Sequence, residues 1–247
     1  MIWGAIHADG SPPGIQRIEI DQDAYETAQL SHYMRELIGL RRLLAAGDGQ
    51  VSRRTLEPFA LVWAALADGD PIFCELGSTL FSAVEKLGLC ARMAGRPDLS
   101  RHLRLVGVEP SALFRDTAAA LHPRLRLEQI SRWQALGPSH HDMVGYTNYV
   151  GAYAFADRSQ WLDYVSRHRV LVVNEMLSLG STDAIDDTLG KRIVHVALGP
   201  LVDALAGIGC EVRLLSIESV HRDGGRARMR LLIDRCTDEG RRRLVEA

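Results

Sequence analysis

Residues 71–88 read PIFCELGSTLFSAVEKLG. A short apolar run, Pro71-Ile72-Phe73-Cys74, ends in an acid and a glycine, Glu75-Leu76-Gly77. Apolar residues at helical spacing follow at once, at Leu80, Val84 and Leu87. An acidic glycine turn between a strand and a helix is how an α/β sheet presents a helix N-terminus to a nucleotide-like ligand.

Upstream, residues 1–22 carry a Pro12-Pro13-Gly14 break and read as an arm that packs on the domain or on a second copy. Asp21 or Asp23 is placed to cap a helix over 25–46, whose apolar residues Leu30, Met34, Leu37, Leu40 and Leu44 form one stripe. Gly47-Asp48-Gly49 stops it, and a second amphipathic helix over 52–67 ends at Asp68-Gly69-Asp70. Downstream the pattern alternates. LRLVGVE at 103–109 is a strand ending in an acid, and 111–121 is a helix with Ser111 as its N-cap. Strands are expected at 125–130 and 142–146, then a helix at 159–167. VLVVNEML at 170–177 reads as a strand buried on both faces. A helix over 187–208, closed by Gly207 and Gly209, leads to strands at 211–220 and 227–234, separated by the hairpin turn signal His221-Arg222-Asp223-Gly224-Gly225. Strands that alternate with helices make a mostly parallel, doubly wound sheet, and the short final turn makes the last pair antiparallel. The chain divides at this level into residues 1–69, an arm and lid helices, and residues 70–247, the sheet domain.

Composition narrows the classes. The chain of 247 residues is 47% hydrophobic and 24% charged, long enough for one large core and not disordered in character. A net charge of −2 and a pI near 6.5 supply no overall field for nucleic acid. The late arginines, among them Arg222, Arg226, Arg228, Arg230 and Arg241 to Arg243, alternate with acids and read as solvated strand and tail faces. Cys74, Cys90, Cys210 and Cys236 form no CxxC pair and sit in or beside apolar runs, as small buried hydrophobes do in a reducing compartment. Signal-peptide features and membrane-length apolar runs are lacking, so a soluble cytoplasmic protein with no membrane partner is expected.

Glu75 and Glu109 lie one strand–helix–strand unit apart. An acid at the carboxyl end of the second strand lies beside the first turn, where it can accept both hydroxyls of a ribose. With the acidic glycine turn and the antiparallel ending, the chain resembles the class I S-adenosylmethionine-dependent methyltransferases over roughly residues 71–234. The resemblance implies a seven-stranded, mostly parallel α/β sheet with its last strand antiparallel, preceded by N-terminal helices, and S-adenosylmethionine as cofactor. Of the three glycines of that family's first motif this sequence keeps Gly77; the later two are Thr79 and Phe81. The resemblance further implies that Glu75 and Gly77 face the amino-acid end of the cofactor, with Ser78 and Thr79 donating from the helix start. Glu109 would bind the ribose, with Pro110 beside the adenine and Gln129 and Ile130 flanking its ring. Gly145-Tyr146, taken as the turn after the fourth strand, would lie under the methionine part.

The protein must orient an acceptor and, for a hydroxyl acceptor, remove a proton. Tyr146 and Glu175 are the catalytic candidates, Glu175 because a carboxylate inside an apolar strand needs a partner. Tyr25, His32 and Tyr33 on the first helix, with Asn148, Tyr149 and Tyr153 after the fourth strand, are the candidate acceptor-binding residues. His140-His141-Asp142 lacks a second pair at ligand spacing, so no metal is expected. The leading function is O- or N-methylation of a small molecule, such as a planar or sugar-like secondary metabolite, with no nucleic-acid partner. The arm and helices leave room for a homodimer. The competing readings are a catalytically degenerate methyltransferase-fold binding or partner protein, and a nicotinamide oxidoreductase, which would need Gly-x-Gly-x-x-Gly.

Overall fold

The computed structural model describes residues 22–46, 53–66, 72–95, 103–137, 143–188, 191–222 and 224–235. The arm expected over 1–22, apart from Gln22, lies outside these residues, as do His140, His141, Cys236 and Arg241 to Arg243. Two helices, α1 (Gln22–Ala46) and α2 (Arg53–Leu66), precede β1 (Ile72–Leu76). There follow α3 (Ala83–Met93), β2 (Arg104–Val108), α4 (Ala112–Leu121), β3 (Leu127–Ile130), β4 (Met143–Asn148), the single turn α5 (Gly151–Ala154), α6 (Arg158–Ser166) and β5 (Val170–Ser178). The chain closes with β6 (Ala184–Thr188), β7 (Lys191–His195), α7 (Leu198–Gly207), β8 (Cys210–Val220) and β9 (Arg226–Arg235).

Seven strands form one sheet in the order β3-β2-β1-β4-β5-β9-β8. The first five are parallel, and β9 runs antiparallel to both of its neighbours. The order reverses between β1 and β4, so the β1 turn opens at the switch point, where open α/β sheets place their ligands. The fold class expected from the sequence is the one observed.

One segment departs from expectation. Residues 187–208 are not one helix: β6 and β7 pair as an antiparallel hairpin, and only Leu198–Gly207 is helical. Ile193, Val194 and Val196 are β-branched, and Val196 O accepts the Ser178 N–H at 3.0 Å, continuing the ladder beyond β5. His195 therefore lies on a strand, with Nε2 3.3 Å from Asp186 and Nδ1 3.2 Å from the Met176 carbonyl oxygen.

Side chains alternate across the sheet and fill two cores. On one face α2 and α3 pack Phe59, Trp63, Leu66 and Leu87 against Phe73, Leu105, Val144, Val172 and Leu232. On the other, α6 and α7 pack Trp161, Tyr164, Leu201 and Leu205 against Cys74, Val106, Leu171, Val173 and Met229. Thus α2 is part of the sheet's core. By contrast α1 lies higher, joining Leu37 and Tyr33 to Leu80 and Phe114 over the ends of α3 and α4. No helix among the described residues is long and apolar enough to cross a membrane.

Phe59 is 1% exposed, so Phe59→Ala should cost about 3–5 kcal/mol in denaturant unfolding, as core aromatic truncations do. A loss under about 1 kcal/mol would show that α2 merely rests on the sheet.

Candidate functional site

After β1 the backbone turns sharply at the carboxyl edge of the sheet. Gly77, Thr79 and Phe81 all have left-handed backbone, with φ of 70°, 45° and 57°. Left-handed backbone costs a residue with a Cβ roughly 1–2 kcal/mol. The alternating pattern that glycines would adopt freely is therefore kept here by a threonine and a phenylalanine. Phe81 is fully buried with its ring 6.0 Å from that of Phe73, so the core holds it. Gly77 must be glycine for a second reason: an added Cβ would stand 2.4 Å from Cγ1 of Val150.

The turn's donors are largely used inside the chain. Gly77 N and Ser78 N donate to the Val108 carbonyl at 2.9 and 3.2 Å, and Thr79 N donates to the Glu109 carboxylate at 3.1 Å. Helix α3 begins at Ala83, so Ser78 and Thr79 lie in the turn and not at the helix start. The Ser78 hydroxyl remains buried without a partner, as do Glu75 Oε2 and both polar atoms of the Gln129 amide. Buried polar atoms left in this state cost free energy unless a ligand or water meets them.

Register explains why these groups gather. Glu75 sits opposite Gly107 on β2 and Tyr146 on β4, and Gly107 sits opposite Gln129 on β3. Residues level across parallel strands share a face, so Gln129, Glu75 and Tyr146 stand in one row with Gly107 between the first two. Gly107 leaves the space that the Gln129 side chain and Ser78 Oγ occupy; a Cβ there would lie 2.4 and 2.7 Å from them. Ile130, next to Gln129, points to the opposite face and packs in the core of α6 and α7.

Glu75 is 7% exposed, and burial pushes its carboxyl up to about 8, against the pull of nearby Lys86. Lys86 itself is lowered by burial, and its ammonium lies 4.9 Å from the centre of the Phe59 ring. Glu109, just past β2, has each carboxylate oxygen engaged, one by Thr79 N and the other by Ser111 N at 2.9 Å. Burial raises its pKa, and these two backbone donors oppose the shift. Pro110 is exposed, and its carbonyl accepts from Arg115.

At β4 the strand continues through Tyr146 and Thr147 to Asn148, paired with Val172, Val173 and Asn174. The turn is therefore Asn148-Tyr149-Val150 and not Gly145-Tyr146. Gly145 lies within the strand, facing His168 and Leu171. Tyr146 is buried beneath α2, 4.8 Å from Phe59, and bonds to Asn174; burial raises its phenol well above the usual range. Glu175 stands on the opposite face from Tyr146, where Oε1 accepts the Val150 N–H at 3.2 Å. Burial raises Glu175 to about 7.

Of the expected acceptor residues with described side chains, only Asn148 and Tyr149 are brought together. Tyr25 lies on α1 with its side chain outside the described residues. His32 is exposed beside Glu36 at 3.3 Å, and Tyr33 packs edge-on against Phe114. Tyr153 is 63% exposed on α5. Asn148 and Tyr149 do join a cluster, built around arginines that were read from sequence as solvated. The Arg228 guanidinium lies 3.7 Å from the Tyr149 ring centre, donates to Asn174 at 3.1 Å and pairs with Glu218 at 2.9 Å. Arg230 is 4% exposed and pairs with Glu218 and Glu57. The spacing Arg226, Arg228, Arg230 put all three on one strand face, a signal that pointed inward here.

Two outcomes follow from this geometry. Gly77→Ala should destabilise the protein by about 1–3 kcal/mol in chemical unfolding, since it meets both strain and Val150. Glu75 has a folded pKa above its unfolded value of about 4.3. Its stabilising share is therefore full below that pH and lost as pH rises toward about 8. The melting temperature should fall more steeply between pH 5 and pH 8 in the wild type than in Glu75→Gln; equal slopes would show that Glu75 is not held protonated.

No family model matches the sequence, and no curated protein does. Solved structures match its fold. A candidate sarcosine dimethylglycine methyltransferase from Galdieria sulphuraria matches with a TM-score of 0.51 over 74% of this chain and 85% of its own, at 10% identity. The O-methyltransferase of a trans-AT PKS multienzyme from Brevibacillus brevis, in complex with S-adenosyl-L-homocysteine, gives 0.49 over 71% of each chain at 9% identity. CalS10, a SAM-bound amino pentose methyltransferase from Micromonospora echinaspora, gives 0.49 over 79% of this chain and 96% of its own at 12% identity. At such identities the likeness is one of fold, and with the strand order and reversed β9 it shows that this chain has the class I S-adenosylmethionine-dependent methyltransferase fold.

Proposed function

We propose that this protein binds S-adenosylmethionine across the carboxyl ends of β1, β2 and β3 and methylates a small-molecule acceptor. One observation carries the reading. The left-handed turn, Glu75 Oε2, the Ser78 hydroxyl and the Gln129 amide meet at the switch point, and these buried polar atoms lack partners. They fit the cofactor: Glu75 and Gly77 at its amino-acid end, Glu109 at its ribose, Gln129 and Pro110 toward its base. When bound, the cofactor supplies a methyl group on a sulfonium, open to in-line attack by the acceptor.

The chain's own residues would hold and orient. Asn148, Tyr149 and Asn174, backed by Arg228, would face an acceptor on the far side of Gly77. Tyr146, a buried neutral phenol, is suited to give a hydrogen bond and unsuited to take a proton. Glu175 would act from the other face by fixing Val150 and hence the β4 exit turn. The pI near 6.5 accords with a small acceptor and not a nucleic acid, which is proposed together with a cytoplasmic location.

A second reading is a methyltransferase-fold partner protein without turnover. It is favoured by the internal use of the Gly77, Ser78 and Thr79 N–H groups and by Val150 against Gly77. Calorimetric titration with S-adenosylmethionine and S-adenosylhomocysteine decides. Binding is expected, with proton release at pH 7 seen as buffer-dependent heats, because a cationic amino group beside Glu75 favours its ionised form. No heat and no thermal shift at millimolar ligand would exclude the enzyme reading.

A further inference from the structure

Glu109 has partners that a cofactor carboxylate does not need. Its Oε2 takes the Thr79 N–H at 3.1 Å across the sheet edge, and its Oε1 takes the Ser111 N–H at 2.9 Å. Its backbone is also tied down. Glu109 N donates to the Ile130 carbonyl at 2.9 Å, and its carbonyl accepts from Arg115 at 2.7 Å. Ser111, the N-cap of α4, passes the connection on: its hydroxyl donates to Glu26 of α1 at 2.7 Å. The acid is thus a fixed post, 6% exposed, between the β1 turn, β3, α4 and α1.

Thr79 is the residue that most needs such a post. Its φ of 45° is strained for a side chain with a branched Cβ, and no aromatic core grips it as the core grips Phe81. A hydrogen bond from its N–H to a buried charged acceptor is of the size that outweighs such strain. A glycine at that position would need no holder.

We propose that Glu109 is a positioning residue: it clamps Thr79 in left-handed backbone, so that the β1 turn is preformed by a carboxylate where glycine would do so by itself. The clamp is made wholly of contacts within the chain and supplements any contact of Glu109 with a ribose. Its effect on cofactor binding rests on the function proposed above, whereas its effect on the turn does not.

The test is a double-mutant cycle between Glu109→Ala and Thr79→Gly, read two ways. In the absence of ligand, Glu109→Ala should lower the melting temperature by roughly 3 °C and should lower it by less than half as much in the Thr79→Gly background, because glycine takes φ above zero without help. Equal drops in the two backgrounds would overturn the clamp. Thr79→Gly by itself should fold and melt at or above the wild-type temperature, and a large drop would equally count against the proposal. With S-adenosylhomocysteine as probe, Glu109→Ala should weaken binding by about tenfold or more, and adding Thr79→Gly should restore much of that loss. A lost ribose contact would not be rescued by a glycine in the neighbouring β1 turn, nor would a general loss of stability. If the wild type binds no S-adenosylhomocysteine, the cofactor reading fails and the melting cycle still decides the clamp.

Discussion

A backbone that must turn three times into the left-handed region within five residues is the constraint on which the site depends. Residues 77–81 leave β1, cross the end of β2 and deliver the chain to α3, beside Glu75 at the switch point. Each left-handed residue has its own means of support: Gly77 has no Cβ, Thr79 is bonded to Glu109, and Phe81 is buried against Phe73. The cost is offset by tertiary contacts, as expected where strain persists at a functional edge.

Around that turn the sheet sorts polar groups by face. Period-two alternation places Glu75, Tyr146, Asn174 and Arg230 toward α2 and Glu175 toward α6. Glu75 and Glu175 therefore serve different layers. The arginine and glutamate network of β8 and β9 buries charge at the sheet's other end. Buried charges are tolerated only when paired, and Glu218 serves both Arg228 and Arg230. That network abuts the end of β4 and gives Tyr149, itself left-handed with φ of 60°, a guanidinium to lie against.

Much of this was legible in the residues alone. The apolar runs of β1, β2 and β5, the acids Glu75 and Glu109 and the Gly224-Gly225 turn determined the class of sheet, because alternation and turn chemistry are local properties. The β6–β7 hairpin was not legible. Its β-branched residues also fit a helical stripe, and pairing beyond the end of β5 settled the matter. The end of β4 differs from expectation for the same reason: Tyr146 to Asn148 extend because Val172 to Asn174 pair with them on one side and Glu75 and Leu76 pair with Tyr146 and Thr147 on the other.

The sequence by itself determined the chain order of the seven strands of the main sheet, the acidic turn and its one surviving glycine, since periodicity and glycine placement need no knowledge of distant contacts. Only the tertiary structure decided that Thr79 and Phe81 take up glycine's conformation, that Arg230 turns inward, and that Glu175 lies on the opposite face of the sheet from Tyr146. Those outcomes depend on which partners lie within a few ångströms across the sheet, and partners distant in the chain are chosen by register and packing, not by local spacing.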